Sequence, residues 1–358
     1  MKKVFSALLS ALLLVQFVFA QEKPLTQAEY VKMLYALQKN PGGRDDIIAA
    51  LRTRGIDFDV TDGVRSLTRS KGANSEELKR ALEEAGRRRS NPAAAILPPK
   101  KETEAIIENA RKKTLEAVGE MPDFVVKQQI QRSAAYAGTG NYRPLDRLVV
   151  AVSYRTSGEE EYKVLSVNGV LQNNPQNKQG YQETGGTSST GEFVTMLATI
   201  FKPESGTSFT AIETDVIRGR RALVFDFVVD RDKAKQQIVA YGPPNDSTIT
   251  GIKGKIWIDR DDFRVLKVES EATEIPEMFP IRTARRSIDY DWVTIAGDKY
   301  LLPSLSDVRL TFRERRDVFE TRNLIRFKEY QKYGTDVTII EDDNAPIPDE
   351  EKPKQPVD

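Results

Sequence analysis

Ala222-Leu223-Val224-Phe225-Asp226-Phe227-Val228-Val229 is the stretch that decides the fold. In an extended chain successive side chains point to opposite faces, so Leu223, Phe225, Phe227 and Val229 share one side. Ala222, Val224, Asp226 and Val228 share the other. The same period of two returns downstream. Ile252, Ile256 and Ile258 alternate with Lys253, Lys255 and Asp259. Leu266 and Val268 alternate with Lys267 and Glu269. Ile288, Tyr290 and Trp292 alternate with Asp289 and Asp291, and Val308, Leu310 and Phe312 with Asp307, Arg309 and Thr311. Each segment reads as a strand with one apolar and one polar face. The links between them are short and turn-rich: Arg218-Gly219-Arg220, residues 259–262, and Ala296-Gly297-Asp298. Short links join antiparallel neighbours. About ten strands in a row curl rather than stay flat. The predicted class is α+β: a curved antiparallel sheet, or half-open β-barrel, with covering helices, preceded by a small all-α domain.

A sheet with one apolar face needs a cover. Phe193, Met196, Leu197, Ile200 and Phe201 recur at helical spacing, and Lys202-Pro203 ends the run. Ser189 and Glu192 have the spacing of a capping box, so the helix is predicted to begin there and to plug the concave face. The lining predicted for a ligand cavity is Phe193, Met196, Leu197, Ile200, Phe225, Phe227 and Trp257. The plainer reading of the same residues is a packed core.

Working outward, residues 24–89 read as short capped helices. Thr26 with Glu29 forms a capping box, Leu25 and Tyr30 a staple, and Thr61 and Ser75 are further caps. Ile47, Ile48, Leu51, Val64, Leu67, Leu78 and Leu82 are the apolar positions. Pro92, Pro98 and Pro99 mark a linker, and a connecting helix precedes Gly119. The predicted organisation is 1–20 signal peptide, 21–90 helical domain, 91–102 linker, 103–336 half-barrel, and 337–358 a disordered acidic, proline-rich tail.

Lys2 and Lys3, the apolar run from Val4 and the Val18-Phe19-Ala20 end fit a secretory leader cleaved after Ala20. No later segment is apolar enough to span a bilayer as a helix, so a periplasmic or secreted protein is expected. The chain has 54 Lys+Arg and 53 Asp+Glu; without Lys2 and Lys3 the balance is 52 to 53, which argues against a nucleic-acid partner. It has no cysteine and no histidine. Disulfides, thiolate or imidazole zinc sites, and Ser-His-Asp or Cys-His catalysis are therefore excluded. No cofactor and no enzyme activity are expected, a carboxylate-dependent envelope hydrolase being the weakest alternative.

Thr190-Gly191-Glu192-Phe193, Met196-Leu197, residues 200–205, residues 218–222, Trp257-Ile258-Asp259, Phe279-Pro280-Ile281, Asp289-Tyr290-Asp291 and residues 300–303 resemble a family of uncharacterised exported bacterial proteins. The strand ending in Trp257-Ile258-Asp259, followed by a turn and residues 264–268, is similar to the LolA/LolB-type lipoprotein carriers and the related sensor RseB. That resemblance implies a half-open barrel with an apolar cavity for acyl chains. The expected function is a carrier for a lipid or lipoprotein acyl chain; the alternative is an interaction or sensor module that meets an envelope protein through its helical domain.

Four further features have plain readings beside functional ones. Asp259, Asp261 and Asp262 offer oxygen ligands for calcium but also suit a tight turn. Asp289 and Asp291 form a same-face carboxylate pair or a solvated face. Residues 185–191 precede a helix start, as an anion site or a flexible loop would. Arg282, Arg285, Arg286, Arg313, Arg315 and Arg316 form a basic rim for headgroups or merely end hairpins.

Overall fold

The computed structural model of the chain describes residues 23–172, 186–240, 246–314 and 316–334. The segments predicted as leader and tail, residues 173–185 and 241–245, and Arg315 lie outside them. Four helices come first: α1 (Gln27–Ala36), α2 (Arg44–Arg54), α3 (Asp62–Lys71) and α4 (Glu76–Ser90). Thr26 and Glu29 cap α1 reciprocally, and Thr61 and Ser75 cap α3 and α4. Each cap satisfies backbone N–H groups that the first turn leaves free. Leu25, Tyr30, Leu34, Ile47, Ile48, Leu51, Leu78 and Leu82 bury into one cluster among these helices. The Tyr30 hydroxyl is satisfied there by Thr68 Oγ1 at 2.8 Å.

After α5 (Lys100–Gly119), the strands are β1 (Phe124–Tyr136), β2 (Arg143–Tyr154), β3 (Glu160–Val167) and β4 (Val170–Leu171). Helix α6 (Thr195–Phe201) follows. Then come β5 (Ser208–Ile217), β6 (Arg220–Val229), α7 (Arg231–Ala234), β7 (Gln236–Ala240), β8 (Asp246–Asp259), β9 (Val265–Thr273), β10 (Ile281–Ile295), β11 (Asp298–Glu314) and β12 (Asp317–Lys332). They form one antiparallel sheet in the order β4-β3-β2-β1-β12-β11-β10-β9-β8-β6-β5, with β7 beside β8. The predicted meander accounts for every neighbour except β1–β12 and β6–β8. The end strands β4 and β5 are not paired with each other, so the sheet curls without closing.

The inner face is covered twice. Met196, Leu197, Ile200 and Phe201 of α6 pack on Leu223, Phe225, Phe227, Ile256, Val268 and Ile288. Ile106, Ile107 and Ala110 of α5 enter the same cluster. A second cluster, with Phe124, Tyr154, Phe193, Ile325 and Phe327, fills the β1–β3 side of the bowl. Helix α6 starts at Thr195, not at Ser189. Gly191 takes φ +78, and its N–H donates to Glu160 Oε2 at 3.1 Å, while the Ser189 hydroxyl bonds the Glu192 side chain. The chain is held across the sheet there, and the capping box is not used.

Helices α1–α4 sit on the opposite, outer face. One clasp is a backbone contact: Gly42 N–H donates to the Thr139 carbonyl in the β1–β2 turn at 3.1 Å. A Cβ on Gly42 would lie 2.0 Å from the Gly138 carbonyl oxygen, which no rotamer change relieves. Gly42→Val is therefore expected to cost about 1–3 kcal/mol and to speed proteolysis of the 91–99 link. Unchanged melting and unchanged cleavage of this variant would show that the clasp contributes nothing.

Candidate functional site

Of the side chains predicted to line a cavity, the structure brings Met196, Leu197, Ile200, Phe225 and Phe227 together, all no more than 9% exposed and packed against α5. Phe193 joins the neighbouring aromatic cluster, edge-on to Phe124 and Phe327. Trp257 is not with them. It follows Ile256 and precedes Ile258, both inward, so parity sends it to the outer face among Ile217, Ala222, Val224 and Leu266. Segment 186–191 also crosses the bowl: Asn323 Nδ2 donates to the Thr187 carbonyl at 2.6 Å and Arg286 to the Thr190 carbonyl at 3.1 Å.

The outer face carries the charge. Strand register sets three rows across it. The first is Val224–Trp257–Lys267–Asp289–Leu305–Arg326. The second is Asp226–Lys255–Glu269–Ser287–Asp307–Leu324, and the third Val228–Lys253–Glu271–Arg285–Arg309–Arg322. Opposite charges meet along and between the rows, except that Arg285, Arg309 and Arg322 are consecutive in the third. Lys255 pairs with Asp226 at 2.8 Å, Lys267 with Glu269 at 2.6 Å, and Arg322 and Arg309 both reach Asp307, at 2.9 and 3.1 Å. Lys267, Glu269, Asp289, Asp307 and Arg309, polar positions of the strand pattern, lie under the helices, while Asp226, Lys253 and Arg285 stay exposed.

The roof is fixed by the basic positions of α2 and α4. Arg88 meets Glu213 at 2.6 Å, Arg87 donates to Thr214 Oγ1 at 2.7 Å, and Arg80 meets Asp215 at 3.4 Å. The guanidinium carbons of Arg52 and Arg80 and the Lys267 ammonium lie 5.7, 5.6 and 5.3 Å from the Trp257 ring centre. The indole N–H donates to Asp215 at 2.7 Å. Arg87 and Arg88 are thus part of the joint, whereas Arg89 pairs with Asp59 among the helices.

Electrostatics inside this joint is strongly coupled. Burial pulls the Lys267 ammonium down, but Glu269, Glu77 and Asp289 outweigh it and its pKa is raised. Burial pushes Glu269 up, yet Lys267, Arg52 and Arg80 win and hold it at about 2. Burial raises Glu77, with Lys267 opposing and Glu269 adding to the rise. Glu269 is the ionised partner of the pair, and Glu77 takes up a proton first.

Helices α2 and α4 do not close on the sheet everywhere. A cleft of about 1250 Å³ lies between α4 and β9–β12, lined by eight basic and six acidic side chains. A second, of about 520 Å³, lies between α2 and strands β6 and β8–β11. Glu77, Ser287 and Arg309 line both, so the two adjoin. The smaller volume falls within the roughly 300–1,000 Å³ of small-molecule sites and the larger exceeds it.

The remaining sequence candidates fall into structural roles. Asp259 is fully buried, pairs with Arg220, and accepts the N–H groups of Asp261 and Asp262 at 2.8 and 3.1 Å. That is a turn, and no cluster of three metal-binding side chains occurs among the described residues. Asp289 and Asp291 each lie 4.0 Å from Arg218, at the cleft wall. The arginine rim is dispersed: Arg285 faces Glu271 on the outer side, and Arg286 serves the inner segment. No helix among the described residues is long and apolar enough to cross a membrane.

No protein-family model matches the chain, and no curated protein matches it. Among solved structures, a DUF1329 family protein from Desulfovibrio piger aligns with 66% of this chain and 95% of its own, at 9% identity and a TM-score of 0.26. The MucA/MucB complex of Pseudomonas aeruginosa contributes a chain aligned over 62% of this one and 93% of its own, at 10% identity and a TM-score of 0.18. A second structure of MucB in complex with MucA aligns over 61% and 93%, at 10% identity and a TM-score of 0.15.

Proposed function

We propose that this chain is an exported, non-enzymatic binding protein of the cell envelope whose recognition surface is the cleft beneath α1–α4. In this reading the leader ends at Ala20, residues 21–90 are a helical domain on a 91–102 linker, 103–336 a scaffold half-barrel, and 337–358 a tail. The observation that carries it is the 1250 Å³ cleft, with charged walls contributed by both the helices and the sheet. An acyl chain would need room among Met196, Leu197, Ile200, Phe225 and Phe227, and those positions are occupied by one another and by α5. The interaction alternative is therefore preferred to a lipid carrier. The absence of His and Cys supports a binding role over catalysis.

A photo-crosslinking residue at Leu305, on the cleft floor, tests it in producing cells. Adducts of higher mass are expected from Leu305 and not from Met278, which is 91% exposed and outside the cleft. Labelling from Met278 alone, or an acyl lipid retained by the native protein in mass spectrometry, would sink this reading.

A further inference from the structure

Resting on that reading, the geometry points to an extended acidic peptide as the ligand, with two carboxylates about six residues apart. The cleft floor runs along the first outer row, from Lys267 through Asp289 and Leu305 to Arg326, and Trp257, next in that row, is fully buried beneath Arg80. A cation stands at each end. Arg80 reaches over Trp257, 5.6 Å from its ring centre, and Arg326 closes the row on β12. Both line the cleft, and each keeps a buried guanidinium N–H without an acceptor: Nη2 of Arg80 and Nε of Arg326. A buried donor left unpaired costs about 1–3 kcal/mol. Those two atoms are closed to solvent, so an arriving carboxylate meets the cleft-facing side of each guanidinium, whose planar fork matches its two oxygens.

Spacing sets the ligand's length. Four strand steps separate Trp257 from Arg326, and at about 4.8 Å per step the span is roughly 19 Å. An extended peptide rises about 3.3 Å per residue, so about six residues cover it. Sign sets the ligand's class. Between the two arginines stands Asp289, and the α4 wall mixes Glu76, Glu77, Glu83 and Glu84 with Lys79, Arg80 and Arg87. A uniform polyanion, such as a phosphate polymer, would set its charges against those carboxylates as well as against the cations. A peptide presents carboxylates only at chosen points, with backbone N–H donors between them for the acids.

The test uses the intact protein and fluorescein-tagged peptides. One carries two glutamates separated by five neutral residues. The others are its two-glutamine and two-lysine analogues and a version with adjacent glutamates. The spaced pair is expected to bind about tenfold or more tighter than each analogue. Arg326→Gln should reduce that preference to the level of a single glutamate without lowering the melting temperature. Equal binding of the glutamine analogue, or an unchanged preference in Arg326→Gln, overturns the inference. Tighter binding of inorganic polyphosphate than of the spaced peptide also overturns it. If peptides fail while Leu305 still crosslinks, only the ligand class is wrong; if both fail, the cleft reading falls with it.

Discussion

Lys267→Met is expected to destabilise the protein by about 3–5 kcal/mol, because it removes one partner from a buried ion pair and leaves the other charged. Lys267 is 4% exposed and 2.6 Å from Glu269, with Glu77 and Asp289 also within its field. Methionine keeps the length of the stem, so the loss reports charge rather than volume. The urea midpoint, read from the fluorescence of Trp257 and Trp292 together, measures it. A midpoint unmoved at pH 7 would show that the joint does not depend on this cation.

The pH dependence has a definite sign. Glu269 is held at about 2 in the fold against an ordinary 4.5. Its contribution is present above 4.5 and is lost as pH falls from there towards 2. The shift corresponds to at most about 3 kcal/mol, and less in practice because a quarter of the side chain meets solvent. Glu77 is shifted upward and offsets part of this on acidification. Lys267 is shifted upward too, so its contribution is complete below the ordinary lysine value of 10.5 and is lost as pH rises from there through its raised value. Lys267→Met should therefore flatten the loss of stability between pH 4.5 and 2, since Glu269 no longer has its main counter-charge. A variant that keeps the parent's acid slope would contradict the pairing.

Phe201→Ala is expected to cost about 3–5 kcal/mol through the transfer free energy of the ring and the cavity it leaves. Phe201 is fully buried on α6 and stacks on Phe209, with ring centres 5.8 Å apart. The same variant opens space where an acyl chain was first expected. A solvatochromic fatty-acid probe should bind the variant and not the parent. Binding of the probe by the parent at similar affinity would reopen the carrier reading, and a loss under 1 kcal/mol would mean that α6 is loosely seated.

How far the amino-acid sequence reaches is visible at particular positions. Period-two alternation was enough for β6, β8 and β11, because each has one face in a core; in β9 a register shift puts Leu266 beside Trp257 on the outer face while Val265 and Val268 point inward, and in β10 Trp292 is exposed while Ile295 turns in. The caps at Thr26, Thr61 and Ser75 were equally plain, since a cap is a contact within a few residues. The same parity rule also placed Trp257 opposite Ile256, against its inclusion in an inner cavity. Helix α5 was legible as a helix but not as a second cover for the bowl; its signal was Thr103, Ile106, Ile107, Ala110 and Thr114 on one stripe. Ser189 with Glu192 met the local criterion for a cap, yet Gly191 and Glu160 took the backbone elsewhere.

The outer-face cleft was not legible at all. Lys255, Lys267, Glu269, Asp289, Asp307 and Arg309 each read as ordinary solvent-facing positions, because local pattern cannot distinguish water from another charged surface. The sequence by itself determined which side chains alternate, where helices are capped, and that no thiol or imidazole chemistry is present. Only the tertiary structure decided that β1 pairs with β12, that α5 fills the bowl, and that α2 and α4 lie over the charged rows. Those contacts join residues more than a hundred positions apart, and their energies depend on burial and mutual distance, which no short stretch of sequence encodes.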